Sequence, residues 1–256
     1  MKIISLNIEC NKHDELVLPF LKKENPDVVC VQELLEDKFE FYKKELSMYG
    51  VFRSASYIDT VVHKDLAGKK EGVAIFTKNS IADSGNFFLA GGEDNVSMPF
   101  SEYLERFNNF LKIHGSYEDF EESRVLVWAD VKNTEGVVFR FLTAHLPVTT
   151  QGRVTPYQLG ITDNLLVKLG ELGEFVLCGD FNSPRGCESF ARFANKYKDN
   201  IPLEYKTSID QNLHRVKGIQ FMVDGLFTTP TYQASSVRLV DGVSDHMAIV
   251  ADINKN

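Results

Sequence analysis

Nine short apolar runs recur from one end of the 256-residue chain to the other, and they limit the fold more than any other feature. They are Lys2–Ile8, Val28–Val31, Val73–Phe76, Val125–Val131, Val137–Leu142, Phe175–Cys178, Gly225–Thr228, Ser236–Leu239 and Ala248–Asp252. Each holds four to seven residues, mostly Val, Ile, Leu or Phe, and reads as a strand. Between some of them lie helical spacings. Leu16, Pro19, Phe20 and Lys23 run up to an Asn25-Pro26 stop, and Leu159, Leu165, Leu166 and Leu169 run up to Gly170. The chain is therefore mixed α/β.

Residues 83–123 break this rhythm. They carry Gly85, Gly91, Gly92 and Pro99, then Phe100, Tyr103, Leu104, Phe107, Phe110 and Leu111 at helical spacing. We read an insertion with a lid-like helix; an aromatic stripe of this kind is also what a helix packed on the main core would show. With no linker-like segment and no repeat visible, one domain over 1–256 is expected.

Composition excludes several classes. A hydrophobic fraction of 43% and a charged fraction of 25% are ordinary globular usage, so disorder and coiled coil are poor readings. The start, MKIISLNIEC, has its apolar stretch interrupted by Ser5, Asn7 and Glu9, so it reads as a strand and not a signal peptide. No run approaches the roughly 20 apolar residues that span a bilayer. A cytoplasmic monomer is expected, with Cys10, Cys30, Cys178 and Cys187 as free thiols that form no C-x-x-C pair. The net charge of −8 argues against a broad basic face for nucleic acid. It does not argue against a phosphate substrate, because a site of several carboxylates is offset by a bound cation.

Several strands end in polar donors. Phe175–Cys178 runs into Gly179-Asp180-Phe181-Asn182-Ser183-Pro184, so Asp180 and Asn182, two apart, face one side of extended chain. A general base would then stand beside a hydrogen-bond donor, although a lone Asp-x-Asn is usually an Asx turn. Lys2–Ile8 brings Asn7 with Glu9 beyond it, and Val28–Val31 is followed by Gln32-Glu33. Carboxylate and amide oxygens suit Mg²⁺, Mn²⁺ or Ca²⁺ rather than zinc. His145 follows Val137–Leu142, and Ser244-Asp245-His246 precedes Ala248–Asp252. Asp224 sits among apolar neighbours, where an ionised carboxylate needs a partner, and a histidine is the natural one.

In order, SLNIE, QE, GVAIFTK, the His145-Leu146 turn, GDFN, Asp224 and SDH resemble the endonuclease/exonuclease/phosphatase superfamily, the DNase I-like fold, over nearly the whole chain. The resemblance implies a four-layer α/β sandwich, two packed mixed sheets with helices outside and the site at one edge. It implies Glu33 as principal metal ligand, supported by Asn7 and Asp245, with Glu9 at a position that often holds an acid. It further implies Asp180 activating water, Asn182 holding a phosphoryl oxygen, and His246 stabilising the transition state with Asp224 orienting it. His145 would contact the phosphate or assist the leaving group.

Arg124 and Arg153 are candidate substrate cations, for which a plain surface role is equally open. Gly225 stands after Asp224 where many relatives carry Arg, Tyr or His, and the tryptophan-cysteine-Asp-Arg pattern of inositol phosphatases is missing. The expected activity is Mg²⁺- or Mn²⁺-dependent hydrolysis of a phosphodiester, DNA or RNA included. A phosphomonoesterase or lipid phosphodiesterase on the same scaffold is the alternative, and a non-catalytic binding module the third reading.

Overall fold

The computed structural model describes residues 1–58, 63–115, 120 and 122–256. In the first half of the chain β1 (Lys2–Asn7), α1 (Asp14–Glu24), β2 (Val28–Leu35), α2 (Phe39–Leu46), β3 (Tyr49–Tyr57) and β4 (Lys70–Thr77) alternate strand and helix. Then come β5 (Ser80–Ala90), α3 (Glu93–Ser97), α4 (Phe100–His114), β6 (Arg124–Lys132) and β7 (Val138–His145). The remainder is α5 (Pro156–Leu172), β8 (Val176–Asp180), α6 (Glu188–Ala194), β9 (Lys198–Asp199), β10 (Asp224–Thr228), β11 (Tyr232–Val240) and β12 (Ala248–Lys255).

The strands form two six-stranded mixed sheets, ordered β11-β12-β1-β2-β4-β3 and β5-β6-β7-β8-β10-β9. Helices flank them, which is the expected four-layer α/β sandwich. The two orders match position by position. Each sheet is built around one parallel pair joined by a helix, β1 with β2 and β7 with β8, with antiparallel strands on either side. Because both parallel pairs run the same way relative to their own sheet, the ends of β1, β2, β7 and β8 gather at one edge of the sandwich.

Alternation assigns the inner faces. Ile3, Val28, Cys30, Val73 and Ile75 of one sheet pack with Val125, Val127, Phe141, Val176 and Cys178 of the other. The opposite faces are also apolar, so both sheets are covered twice. Ile4, Leu6, Val29 and Val31 receive Val17, Leu18 and Leu21 of α1. Leu142, Leu177 and Phe227 receive Ile161, Leu165 and Leu169 of α5 and Phe190 and Phe193 of α6. Between the sheets, Gln32 Nε2 donates to Thr143 Oγ1 at 2.8 Å in a buried polar contact.

Four expectations shift. Residues 83–90 belong to strand β5, so the helical part of 83–123 starts later, with α3 and α4. The aromatic stripe of α4 forms a small cluster of its own, with Tyr103 and Phe107 against Tyr57, Met98 and Phe120. Helix α5 passes through Gly170 to Leu172 and stops at Gly173, whose positive φ of 73° favours glycine. His145 is the last residue of β7 rather than part of the following turn. All four cysteines are free, Cys187 alone being half-buried.

Candidate active site

The gathered strand ends open into a cleft. It is lined by Glu9, Cys10, Glu33, Glu71, Arg124, His145, Asp180, Asn182, Asp245 and His246, with His63, His214 and Arg215, and with Tyr57, Phe120 and Glu122, which contact α4. Asp180 lies at its centre. Register places His145 beside it on the parallel neighbour β7 and Asp224 beside it on the antiparallel neighbour β10. Asp180 is 1% exposed; its Oδ1 accepts from the Asn182 N–H at 2.8 Å and its Oδ2 from Asn7 Nδ2 at 3.1 Å. Burial, together with Asp224 and against the pull of His246, pushes its carboxyl up to about 7.

Two histidines face Asp180, and their surroundings push their imidazoles in opposite directions. His246 Nδ1 donates to Asp224 Oδ2 at 2.8 Å, and its Nε2 lies 3.7 Å from Asp180 Oδ2. Burial works against its charge, but Asp224 and Asp180 outweigh burial and hold it well above the ordinary imidazole value. His145 is pushed well below that value by burial, Arg124 and His246. Its Nε2, 3.7 Å from both Glu33 Oε1 and Asp180 Oδ2, meets Asn182 Nδ2 at 3.1 Å. A neutral ring accepting at Nε2 carries its proton on Nδ1, and so has none at Nε2 to give. Asn182 Nδ2 is further fixed by the Leu146 carbonyl at 2.9 Å.

Glu33 is aimed by backbone distortion. Pairing of β2 with β4 slips between Val31 and Leu34, and Glu33 in this bulge takes φ of 57°. Asn182 at φ 47° and the consecutive Glu9, Cys10 and Asn11 at 44°, 53° and 64° also lie in the left-handed region beside the cleft. Strained non-glycine backbone of this kind persists where the surroundings over-determine it. Burial and Asp245 raise the Glu33 carboxyl, and burial with Glu33 raises Glu71 well above its ordinary value.

Asn7 and Glu9 are placed differently from a plain set of oxygen ligands. Asn7 Oδ1 accepts the Glu9 N–H at 3.0 Å, which fixes the amide, so Nδ2 points at Glu33 Oε1 (2.9 Å) and at Asp180. Asn7 thus orients two carboxylates as a donor. The Glu9 oxygens are taken by Lys12 Nζ at 2.8 Å and His13 Nε2 at 2.9 Å. Burial disfavours that charge, yet Lys12 and His13 together hold the carboxyl below its ordinary value. Arg124 lines the cleft; Arg153 does not, and its Nε donates to the Thr150 carbonyl at 3.3 Å.

Ligand atoms of Cys10, Glu33 and Glu71 lie within 4.8 Å of one another, as do those of Asp180, Asp224 and His246. Crowded buried carboxylates that raise one another are what a divalent cation relieves, so the residues fit a metal. Sequence reasoning missed Glu71, Cys10, His63, His214 and Arg215. Glu71 stands just ahead of the apolar Val73–Phe76 run, where an acid reads as a solvated strand start; only its place opposite the strand after Gln32-Glu33 could have flagged it.

A cleft of carboxylates, a carboxylate–imidazole pair and fixed carboxamides at one edge of paired six-stranded sheets defines a DNase I-like hydrolase scaffold. The chain belongs to the endonuclease/exonuclease/phosphatase family, whose model matches residues 4–246. It is 41% identical over 70 residues to the CCR4-Not complex 3'-5'-exoribonuclease subunit Ccr4 of Phaeosphaeria nodorum, a match covering 26% of this chain and 12% of that protein's length. The human Nocturnin catalytic domain with bound sulfate has a similar fold, with TM-score 0.72, 16% identity and coverage of 100% and 93% of the two chains. So has a mannosyl-6-phosphatase of Bacteroides thetaiotaomicron, with TM-score 0.67, 15% identity and 99% coverage of both.

Proposed function

We propose that this protein is a Mg²⁺- or Mn²⁺-dependent phosphoesterase that cleaves a nucleic-acid or nucleotide-derived phosphodiester by in-line attack of water. The observation that carries the reading is the setting of Asp180, buried, hydrogen-bonded by Asn7 and Asn182, and flanked by one charged and one neutral imidazole. A base held near neutrality both keeps its unprotonated fraction and accepts a proton well. Asp180 takes the proton of the attacking water as the water oxygen bonds to phosphorus, the opposite P–O ester bond breaks, and the leaving oxygen takes a proton from solvent. His246, charged and steered by Asp224, faces the negative charge that develops on the phosphoryl oxygens, as does the Asn182 amide. His145, neutral, holds Asn182 in place. Glu33, with Asp245 and Glu71 near it, would hold the cation. When bound, the cation polarises the phosphoryl oxygen and offsets the acid-rich cleft.

A phosphomonoester is the second reading, favoured by the side chains that line the cleft beyond its acids, Tyr57, Phe120, His214 and Arg215 among them. Turnover of single-stranded DNA, RNA, a sphingophospholipid, inositol phosphates and p-nitrophenyl phosphate in one buffer, with and without chelator, separates them. Glu33→Gln and Asp180→Asn are each expected to lower Mg²⁺-dependent cleavage of bis(p-nitrophenyl) phosphate by ~10²-fold or more. Undiminished activity in either variant, with the circular dichroism of the wild type, refutes the assignment.

A further inference from the structure

The matching sheet orders place matching chemistry at the cleft. On one side of each parallel pair stands an acid, Asp224 at the start of β10 and Glu71 near the start of β4. On the other side stands a cation, His246 just ahead of β12 and Arg124 as the first residue of β6. Each acid works on the cation of the other sheet, and in one pair the grip is direct, His246 Nδ1 donating to Asp224 Oδ2 at 2.8 Å. In the other pair Glu71 acts on Arg124 electrostatically, and the direct grip comes from Glu122, whose Oε2 accepts from Arg124 Nη2 at 2.8 Å.

Arg124 is built in, not laid on the surface. It is 8% exposed, lines the cleft, and its buried Nε–H has no hydrogen-bond partner among the described residues. A guanidinium is a rigid fork on a flexible stem, so a carboxylate that ties one nitrogen decides where the remaining donors point. Glu122 is itself braced, its Oε1 accepting from the Tyr103 hydroxyl of α4 at 3.0 Å. Tyr103 packs on the cleft wall Tyr57, ring centroids 5.0 Å apart.

We infer that Glu122, braced by Tyr103, is a positioning residue that aims the open donors of Arg124 at the substrate phosphate, as Asp224 aims His246. The inference rests on the phosphoesterase reading for its substrate, and on the repeated strand plan and the Tyr103–Glu122–Arg124 chain for its geometry. It gives α4 a role in substrate affinity although the helix supplies no wall of the cleft among its own residues.

The test compares Glu122→Asp, Glu122→Gln and Tyr103→Phe in Mg²⁺ buffer, by KM and kcat on bis(p-nitrophenyl) phosphate and by calorimetric Kd for inorganic phosphate. Glu122→Asp keeps the charge and withdraws the carboxylate by one methylene, so KM and Kd are expected to rise roughly tenfold. Glu122→Gln keeps the reach and an oxygen acceptor, and is expected to raise them less. Tyr103→Phe is expected to raise both about threefold with kcat changed by less than about twofold, the signature of lost binding rather than lost chemistry. A Glu122→Gln effect equal to or larger than that of Glu122→Asp would overturn the inference, because charge balance and not aim would then govern. Wild-type KM and Kd in Tyr103→Phe would overturn it too, and this variant decides if Glu122→Asp does not fold. Phosphate binding needs no turnover, so a wild type that cleaves no ester refutes the phosphoesterase reading while leaving the Kd comparison in force.

Discussion

His246 and His145 stand on either side of one carboxylate, yet their surroundings drive them apart, and this asymmetry is the most informative property of the cleft. Asp224 and Asp180 overcome burial at His246, whereas Arg124 adds to burial at His145. The sign of a test at His246 follows. Its folded value is raised, so the imidazolium is complete below the ordinary 6.5 and is lost only as pH climbs through the raised value. Asp224→Asn removes the carboxylate that donates most to that rise. The basic limb of the pH–rate profile should then move to lower pH, with kcat/KM down on the order of 10²- to 10⁴-fold at neutral pH. A basic limb that stays where it was would show that His246 charge is not what the limb reports. At this scale the sequence exposed much of the site. Asp180, Asn182, Asp224, Asp245 and His246 sit where strands end, and polar residues there announce themselves. Cys10 and Glu71 did not, because a thiol and an acid beside apolar runs look like packing and solvation. The donor role of Asn7 was also hidden, since the amide orientation is decided by the Glu9 N–H after the chain has folded.

Elements buried on both faces were legible, as was part of edge strand β11, whereas edge strands β3 and β5 were missed. Strands β1, β2, β6 and β8 carry consecutive apolar residues, Ile3-Ile4, Val28–Val31, Val125–Trp128 and Val176–Cys178, as a sheet covered on both faces demands. Edge strands β3 and β5 carry Ser, Arg, Asp and Gly because one face meets solvent, so their alternation is diluted. Glycines divide by the same physics. Gly179 in β8 pairs with Ala144, has φ of 152°, and an added Cβ would lie 2.1 Å from the Ala144 carbonyl oxygen. Backbone in the middle of a parallel pair cannot step aside, so Gly179→Ala is expected to cost on the order of 3 kcal/mol. Gly170 lies exposed inside α5, and a Cβ there would meet nothing within 4 Å. Gly170→Ala should therefore stabilise by about 0.5–1 kcal/mol. Urea unfolding midpoints at constant m check both; equal shifts for the two variants would contradict the account.

Across the whole molecule, two sheets of matching strand order share one core and bring their polar strand ends to a common edge. Mixed α/β character could be read from run lengths, but pairing order could not, since a run of Val and Ile is the same beside any neighbour; the family resemblance supplied that step. The arrangement concentrates Glu33, Glu71, Asp180 and Asp245 at one place in a chain that already carries a net charge of −8. Burial and mutual repulsion raise Glu33 and Glu71, so without a cation these groups oppose folding. Glu33→Gln removes one of the crowded charges while keeping the shape that Asn7 holds. In chelator the variant should melt above the wild type, by roughly 2–4 °C for each kcal/mol gained at this chain length. Added Mg²⁺ or Mn²⁺ should raise the wild-type melting temperature in proportion to RT ln(1 + [metal]/Kd) and raise that of Glu33→Gln far less. Scanning calorimetry of both proteins, with and without metal, reads all four states. A wild type that is the more stable protein in chelator, or that gains nothing from either metal, would mean that this cluster of acids is not held for a cation. A crossing of the two proteins' stabilities on metal addition is the behaviour of a site kept for function at the expense of the empty fold.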